Sequence, residues 1–162
     1  MLMVLNRFLN KPDTAGIIAP PPLIYLSGWL LGWVLNKGYP ITWLPDVLTW
    51  PIGAVLIGCG VLCAASAFLA MRRASTPVDP YSPTTAIVSA GSYRFSRNPL
   101  YLALTLFYVA FAAITDMLWP LLVLPFVIWV MHRGVICREE RYLEKKFGES
   151  YVHYKVKVRR WL

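Results

Sequence analysis

Two clusters of side chains in this sequence have the types and spacing to bind a charged ligand. The first lies at the start of an apolar segment and consists of Tyr93, Arg94, Arg97, Asn98 and Tyr101. The second follows the next apolar segment and consists of Arg133, Arg138, Glu139 and Glu140. Arginines can hold a carboxylate through paired hydrogen bonds, and glutamates can pair with an ammonium or accept hydrogen bonds from hydroxyls. Tyrosine rings can face an adenine or a sulfonium. The two clusters together therefore suit a zwitterionic ligand with an aromatic group.

The same residues also have an ordinary explanation in a membrane protein. Arginines next to spans set the orientation of the chain, and tyrosines collect at membrane interfaces. Glu139 and Glu140 can belong to a solvated helix face with salt bridges. The residues alone therefore leave both a ligand site and a topological role open.

Hydrophobic residues make up 57% of the chain and charged residues only 15%, which is too apolar for an ordinary soluble domain. Residues 14–36 and 47–71 carry no charge, and residues 98–132 carry only Asp116. Since a spanning helix needs about 20 residues, the third stretch can hold two spans with a turn at Asp116. We predict an all-α membrane protein, a single domain over 1–162, with four transmembrane helices at 18–36, 51–71, 98–114 and 118–136.

The tail after Cys137 is predicted to form a cytoplasmic helix. Apolar residues recur there every three or four positions between basic residues, a pattern typical of a helix on a membrane surface. Gly148 is expected to divide this helix into two pieces.

The basic residues predict the orientation of the chain. Of its 16 Lys and Arg residues, only Lys37 falls in a segment assigned to the outside; Arg7 and Lys11 precede the first span on the inner side. By the positive-inside rule both termini and both clusters face the cytoplasm. The excess of positive charge suits anionic lipid headgroups, and no nucleic-acid-binding module is visible. Cys59 and Cys63 have no His or acidic residue beside them, so we expect packing and no metal site.

Because the turn between the last two spans is short, these spans are expected to be antiparallel neighbours with both clusters at one depth. Three motifs then carry a resemblance over 72–162. They read Gly91-x-Tyr93-Arg94-x-x-Arg97-Asn98-Pro99-x-Tyr101, then Glu139-Glu140-x-x-Leu143-x-x-x-Phe147-Gly148-x-x-Tyr151-x-x-Tyr154-x-x-x-Val158-Arg159, and the weaker Arg72-Arg73-Ala74-x-Thr76-x-Val78-x-Pro80. This part of the chain resembles the isoprenylcysteine carboxyl methyltransferase family, which is related to the phospholipid methyltransferases.

The resemblance implies an integral membrane methyltransferase, in the bacterial inner membrane, that uses S-adenosylmethionine and releases S-adenosylhomocysteine. The residues that it implies for cofactor binding are Tyr93, Arg94, Arg97, Asn98, Pro99, Tyr101, Leu102, Glu139 and Glu140. It implies catalytic roles for Arg133, which orients the acceptor, and for Glu140, which assists an amine acceptor. The family usually has His at the position of Asn98; an amide can hydrogen-bond but cannot act as a base at neutral pH.

The acceptor that the resemblance implies is lipid-like or apolar, such as a membrane lipid or a lipophilic small molecule. The reacting group can be a carboxylate, an amine or a thiol. The alternative function is a non-catalytic lipid-binding or assembly protein that retains the fold. A transporter is disfavoured, because Asp116, at the predicted turn, is the only charged residue of residues 98–132.

Overall fold

The computed structural model describes residues 13–79 and 82–162. Arg7, Lys11 and Pro80, which entered the charge and motif arguments, lie outside these ranges.

Within the described ranges the regular structure is helical and contains no strand, so the all-α prediction is confirmed. The α-helices are α1 (Pro21–Gly38), α2 (Asp46–Arg73), α3 (Pro99–Ile114), α4 (Leu118–Met131), α5 (Cys137–Phe147) and α6 (Glu149–Lys157). A 3₁₀ turn, Gly91–Arg94, precedes α3, and a π-helical turn, His132–Ile136, joins α4 to α5. The predicted break at Gly148 is confirmed, since this residue has a φ of +55° between α5 and α6.

Helices lie at all four predicted spans, but length and composition alone qualify two of them for crossing a membrane. These are Asp46–Arg73 and the continuous helical run Leu118–Phe147. Pro99–Ile114 is apolar but has 16 residues, which reach about 24 Å against a hydrocarbon core of about 30 Å. Helix α2 begins five residues before the predicted position 51. Its first residue, Asp46, carries a negative charge that the N-terminal end of the helix dipole favours.

The described chain forms two compact units. We call residues 20–64 and 100–131 the apolar unit, and residues 13–19, 65–99 and 132–162 the polar unit.

In the apolar unit, small residues let helices approach closely. A Cβ atom on Gly32 of α1 would lie 2.6 Å from the backbone N and Cα of Pro120 at the start of α4, so a larger residue would force these helices apart. Tyr25 of α1 contacts Tyr108 of α3 edge to face, with ring centroids 6.1 Å apart. The Tyr108 hydroxyl donates to the carbonyl oxygen of Pro120. Close packing of this kind replaces the hydrophobic driving force that is absent between helices in lipid.

The turn between α3 and α4 lies where the sequence predicted it. Asp116 adopts a left-handed φ of +47°, and its carboxylate accepts hydrogen bonds from the backbone N–H groups of Trp43 and Leu44 at 2.9 and 3.0 Å. The single acidic residue of residues 98–132 therefore ties this turn to the connection between α1 and α2.

Large apolar side chains remain exposed on α2 and α4. On α2, Val55 and Leu62 are 65% and 73% exposed, and on α4, Phe126 is 60% exposed. Exposed apolar surface on this scale is typical of a face that contacts lipid or another apolar partner.

Candidate functional site

Three charged side chains of the polar unit contact one another. Glu140 of α5 accepts two hydrogen bonds from Arg160, at 2.9 Å from Nε and 2.7 Å from Nη2. Nη1 of Arg97 lies 2.8 Å from the Oε1 atom of Glu140, and each of these two side chains is only 9% exposed. We call Arg97, Glu140 and Arg160 the charged triad. Its net charge is positive, since one carboxylate faces two guanidinium groups.

Arg97 retains hydrogen-bonding capacity in this buried position. Its Nε atom makes no hydrogen bond within the described residues, and its Nη1 meets Glu140 as an ion pair without the alignment of a hydrogen bond. A buried donor without a partner costs free energy, so such a group is often completed by water, an ion or a ligand. Arg97 is therefore the residue of the triad that is best suited to bind an anion.

The end of the chain holds this cluster in place. Residues 158–162, which we call the C-terminal strap, follow α6. The backbone N–H of Arg97 donates to the carbonyl oxygen of Arg159 at 2.9 Å. The carbonyl oxygen of Arg160 accepts from Nδ2 of Asn98 at 2.9 Å and from Oγ of Ser96 at 3.3 Å. Asn98 is only 8% exposed, so its amide serves here to anchor the strap.

Gly91 sets the direction of the chain as it enters the site. Its φ of +59° lies in the left-handed region, which other L-residues adopt at a cost. A Cβ atom would also lie 3.0 Å from the carbonyl oxygen of Ser66 on α2. The next residue, Ser92, donates its backbone N–H to Oγ of Ser66 at 3.0 Å. The motif glycine thus lets the 3₁₀ turn pack directly against α2.

Two tyrosines of α6 lie next to the 3₁₀ turn and the charged triad. Tyr154 donates its hydroxyl to the carbonyl oxygen of Tyr93 at 2.8 Å. Tyr151 is 3% exposed, and burial together with the charge of Glu140 raises its pKa to about 12 despite the opposing influence of Arg97. Both hydroxyls therefore stay protonated at neutral pH and can donate hydrogen bonds.

The electrostatics of Glu140 favour its ionised form. Burial by itself raises the pKa of this carboxyl, but the hydrogen bonds from Arg160 and the charge of Arg97 together hold it below the ordinary value. Glu140 is thus a carboxylate at neutral pH, and its two oxygens already face guanidinium groups. It is better placed to position Arg97 than to take up a proton.

Arg133 lies on the π-helical turn and is exposed. The turn packs against the segment before α1, because the N–H of Ile18 donates to the carbonyl oxygen of Gly134 at 3.2 Å. Turns of π-helix within α-helical runs occur frequently at functional sites. The turn interrupts the helical run between the apolar helix α4 and the charged helix α5.

Of the residue set predicted from the sequence, Arg97, Asn98 and Glu140 meet around the strap. Tyr101 and Leu102 belong to the apolar unit. Arg94 is exposed, Glu139 is half-buried, Tyr93 is held by Tyr154, and Pro99 is fully buried at the start of α3. Arg160 is a residue of the site that was not predicted from the sequence. The signal for it was the basic pair Arg159-Arg160 directly after Val158, the last position of the apolar stripe.

Comparison with known proteins supports the resemblance. The family model of the phospholipid methyltransferases matches residues 48–150. An uncharacterised protein of Haemophilus influenzae is 60% identical over 35 residues, which are 22% of this chain and 56% of that protein. The chain thus covers just over half the length of this curated relative. No solved structure matches the chain. Because the family model covers well over half of the sequence, the chain belongs to the phospholipid methyltransferase family, the group that includes the isoprenylcysteine carboxyl methyltransferases.

Proposed function

We propose that this protein is an integral membrane methyltransferase that uses S-adenosylmethionine and acts on a lipid-like or apolar acceptor. The observation that carries this proposal is the buried, positively charged triad with an unsatisfied donor on Arg97, in a chain of a methyltransferase family. The proposed setting is a bacterial inner membrane crossed four times, with both termini and the site on the cytoplasmic side.

The residues of the polar unit fit the chemistry of the methyl donor. Its carboxylate matches the unpaired donor of Arg97, with the exposed Arg94 as a second cation. Phe95, which is 72% exposed, offers an aromatic face for an adenine or a sulfonium. We assign Glu139 to the ammonium or the ribose hydroxyls. When bound, S-adenosylmethionine supplies an electrophilic methyl group.

Glu140 then acts as a positioning residue. It fixes the guanidinium of Arg97 through the ion pair at 2.8 Å, and Arg160 keeps it from rotating away by two parallel hydrogen bonds. Alignment of donor and acceptor is the main demand of a direct group transfer. A carboxylate or thiolate acceptor needs no base, whereas an amine must arrive unprotonated.

Arg133 is proposed to orient the acceptor. Its exposed position on the π-helical turn, next in sequence to the apolar helix α4, suits an acceptor that arrives from the lipid. Misplacing an acceptor by 1 Å can cost on the order of 100-fold in rate. The Arg133→Ala variant should therefore lose far more turnover than cofactor affinity.

Calorimetry with S-adenosylhomocysteine on the full-length protein in detergent tests the cofactor assignment. We expect micromolar affinity, roughly −8 kcal/mol, and a loss of at least about tenfold in Arg97→Gln, since hydrogen bonds to charged groups contribute about 1.5–3 kcal/mol. The control Arg72→Gln removes the same charge from an exposed position in the polar unit.

Methyl transfer from labelled S-adenosylmethionine into extracted lipid or thiol fractions tests the activity. Folded protein that binds no cofactor would favour the non-catalytic lipid-binding alternative. If Arg133→Ala lost cofactor affinity and turnover equally, this arginine would be assigned to the cofactor site.

A further inference from the structure

A basic cavity lies within the polar unit, against the face of α5 opposite the charged triad. It has a volume of about 500 Å³, which is in the range of ligand pockets. Its wall consists of residues 13–16 together with Arg138, Arg141, Tyr142, Lys145 and Lys146.

The cavity carries more positive than negative charge. Four of its lining residues are basic and one, Asp13, is acidic. Asp13 is already engaged, because Lys146 lies 2.6 Å from its Oδ2 and the Tyr142 hydroxyl donates to its Oδ1 at 3.0 Å. Arg138 donates only to the carbonyl oxygen of Gly16, and Arg141 to that of Cys137. Among the described residues, neither arginine has a carboxylate partner, and Lys145 makes no ion pair or hydrogen bond.

The spacing along α5 explains why this charge stays unneutralised. Residues three or four positions apart share a helix face, so Arg138, Arg141 and Lys145 form one face. The carboxylates Glu140 and Glu144 lie on the other face. Glu140 forms ion pairs with Arg97 and Arg160, and Glu144 forms an ion pair with Lys155. Glu140 and Glu144 therefore lie away from the cavity, whereas Arg138, Arg141 and Lys145 line it.

The position of the cavity indicates where its ligand comes from. Helix α5 is the end of the continuous helical run Leu118–Phe147, whose first part is apolar. If this run crosses a membrane, its charged end emerges at the surface. Positions 138–145 extend over about 10 Å of helix, comparable to the headgroup layer of roughly 5–8 Å on each side of the hydrocarbon core. Guanidinium and ammonium groups at that depth match the phosphate of a lipid.

We propose that the basic cavity binds the phosphate of an anionic phospholipid headgroup, at a site separate from that for the methyl donor. The site holds α5 at the membrane surface and thereby fixes the depth of Glu140. The proposal does not depend on methyl transfer, since it follows from the cavity and its charges.

In the test, full-length protein in detergent is titrated with fluorescent phosphatidylglycerol and, in parallel, with fluorescent phosphatidylcholine that has the same acyl chains. Wild-type protein should prefer phosphatidylglycerol. The double variant R141Q/K145Q should lose roughly 30-fold in affinity for it, because each basic residue near an anionic surface contributes about fivefold. Both side chains are exposed and, among the described residues, neither makes a hydrogen bond or ion pair to another element, so the fold should persist, and the unfolding temperature checks this. The control R72Q/R73Q removes the same charge from exposed positions outside the cavity wall; because charges that do not contact the ligand are screened, it should lose under about threefold.

Equal affinity of wild-type protein for the two lipids would overturn the proposal whatever the variants do. Equal losses in the two double variants would also overturn it, because they would show diffuse surface charge in place of a site. Displacement of phosphatidylglycerol by millimolar inorganic phosphate would show that a soluble phosphate is the ligand and would refute the lipid assignment. If R141Q/K145Q does not fold, Lys145→Gln alone should still weaken the binding of phosphatidylglycerol about fivefold.

Discussion

Replacing Glu140 with glutamine would remove the negative charge between Arg97 and Arg160 while keeping the shape of the side chain. In the native protein this carboxylate, 9% exposed, receives two hydrogen bonds from Arg160 and an ion pair from Arg97 at 2.8 Å. In the variant, two guanidinium groups would face one neutral amide, whose NH₂ group cannot accept a hydrogen bond.

The magnitude follows from the burial of the partners. Breaking a buried ion pair by removing one partner costs about 3–5 kcal/mol. Because the Arg160 side chain is 33% exposed and can turn to solvent, we expect the lower end, about 3 kcal/mol. At about 2–4 °C per kcal/mol for a chain of this size, the unfolding temperature in detergent should fall by roughly 6–12 °C.

The chain supplies a matched control one turn along the same helix. Glu144 pairs with Lys155, but both side chains are about one-third exposed (35% and 36%). Exposed pairs contribute about 0–1 kcal/mol, so Glu144→Gln should lower the unfolding temperature by at most about 4 °C. Adding Arg160→Gln to Glu140→Gln should restore part of the lost unfolding temperature, because one of the two unpaired cations is removed. Equal shifts in the two single variants, or a further loss in the double variant, would refute the buried triad as a source of stability.

Three further predictions concern the pH dependence, the motif glycine and the topology. Since the pKa of Glu140 is lowered on folding, the contribution of this carboxylate to the free energy of unfolding is complete above the ordinary value of 4.5 and is lost as the pH falls through the folded pKa. Unfolding temperatures measured between neutral and acidic pH should therefore fall more steeply for the native protein than for Glu140→Gln. Gly91→Ala should destabilise by roughly 1–2 kcal/mol in thermal unfolding, because of its φ of +59° and the nearby Ser66 carbonyl, whereas Gly58→Ala, with open space around it, should be neutral or slightly stabilising. A cysteine at Thr115, an exposed neighbour of Asp116, in a variant without native cysteines should react with an impermeant thiol reagent from the non-cytoplasmic side, and labelling only from the cytoplasm would contradict the four-span topology.

The sequence was sufficient for features that follow from local periodicity. Apolar runs and flanking charge predict the helices, and Asp116 and Gly148 mark the turns because both adopt left-handed backbone conformations there. The short turn between the last two predicted spans also predicts that the two clusters lie at one depth, and the ion pair between Arg97 and Glu140 agrees with this.

The partner of Glu140 could not be predicted in the same way. Arg160 lies beyond the last helix and beyond the family match, which ends at residue 150. A contact across 20 residues between an irregular strap and a helix leaves no periodic signal in the sequence. The π-helical turn has no local sequence signal either; the carbonyl oxygen of its Gly134 accepts from the N–H of Ile18, which is distant in the sequence.

The strap also changes how the Arg-Asn-Pro motif is understood. From the sequence, Asn98 was a cofactor-binding position where the family usually has His, and an amide excludes a role as a base. In the structure its Nδ2 donates to the Arg160 carbonyl, and the neighbouring N–H of Arg97 donates to Arg159. A neutral His at this position could donate one such hydrogen bond as well. The motif residue then acts on the site through Arg160 and Glu140: by holding the strap, Asn98 keeps the carboxylate that orients Arg97 in place.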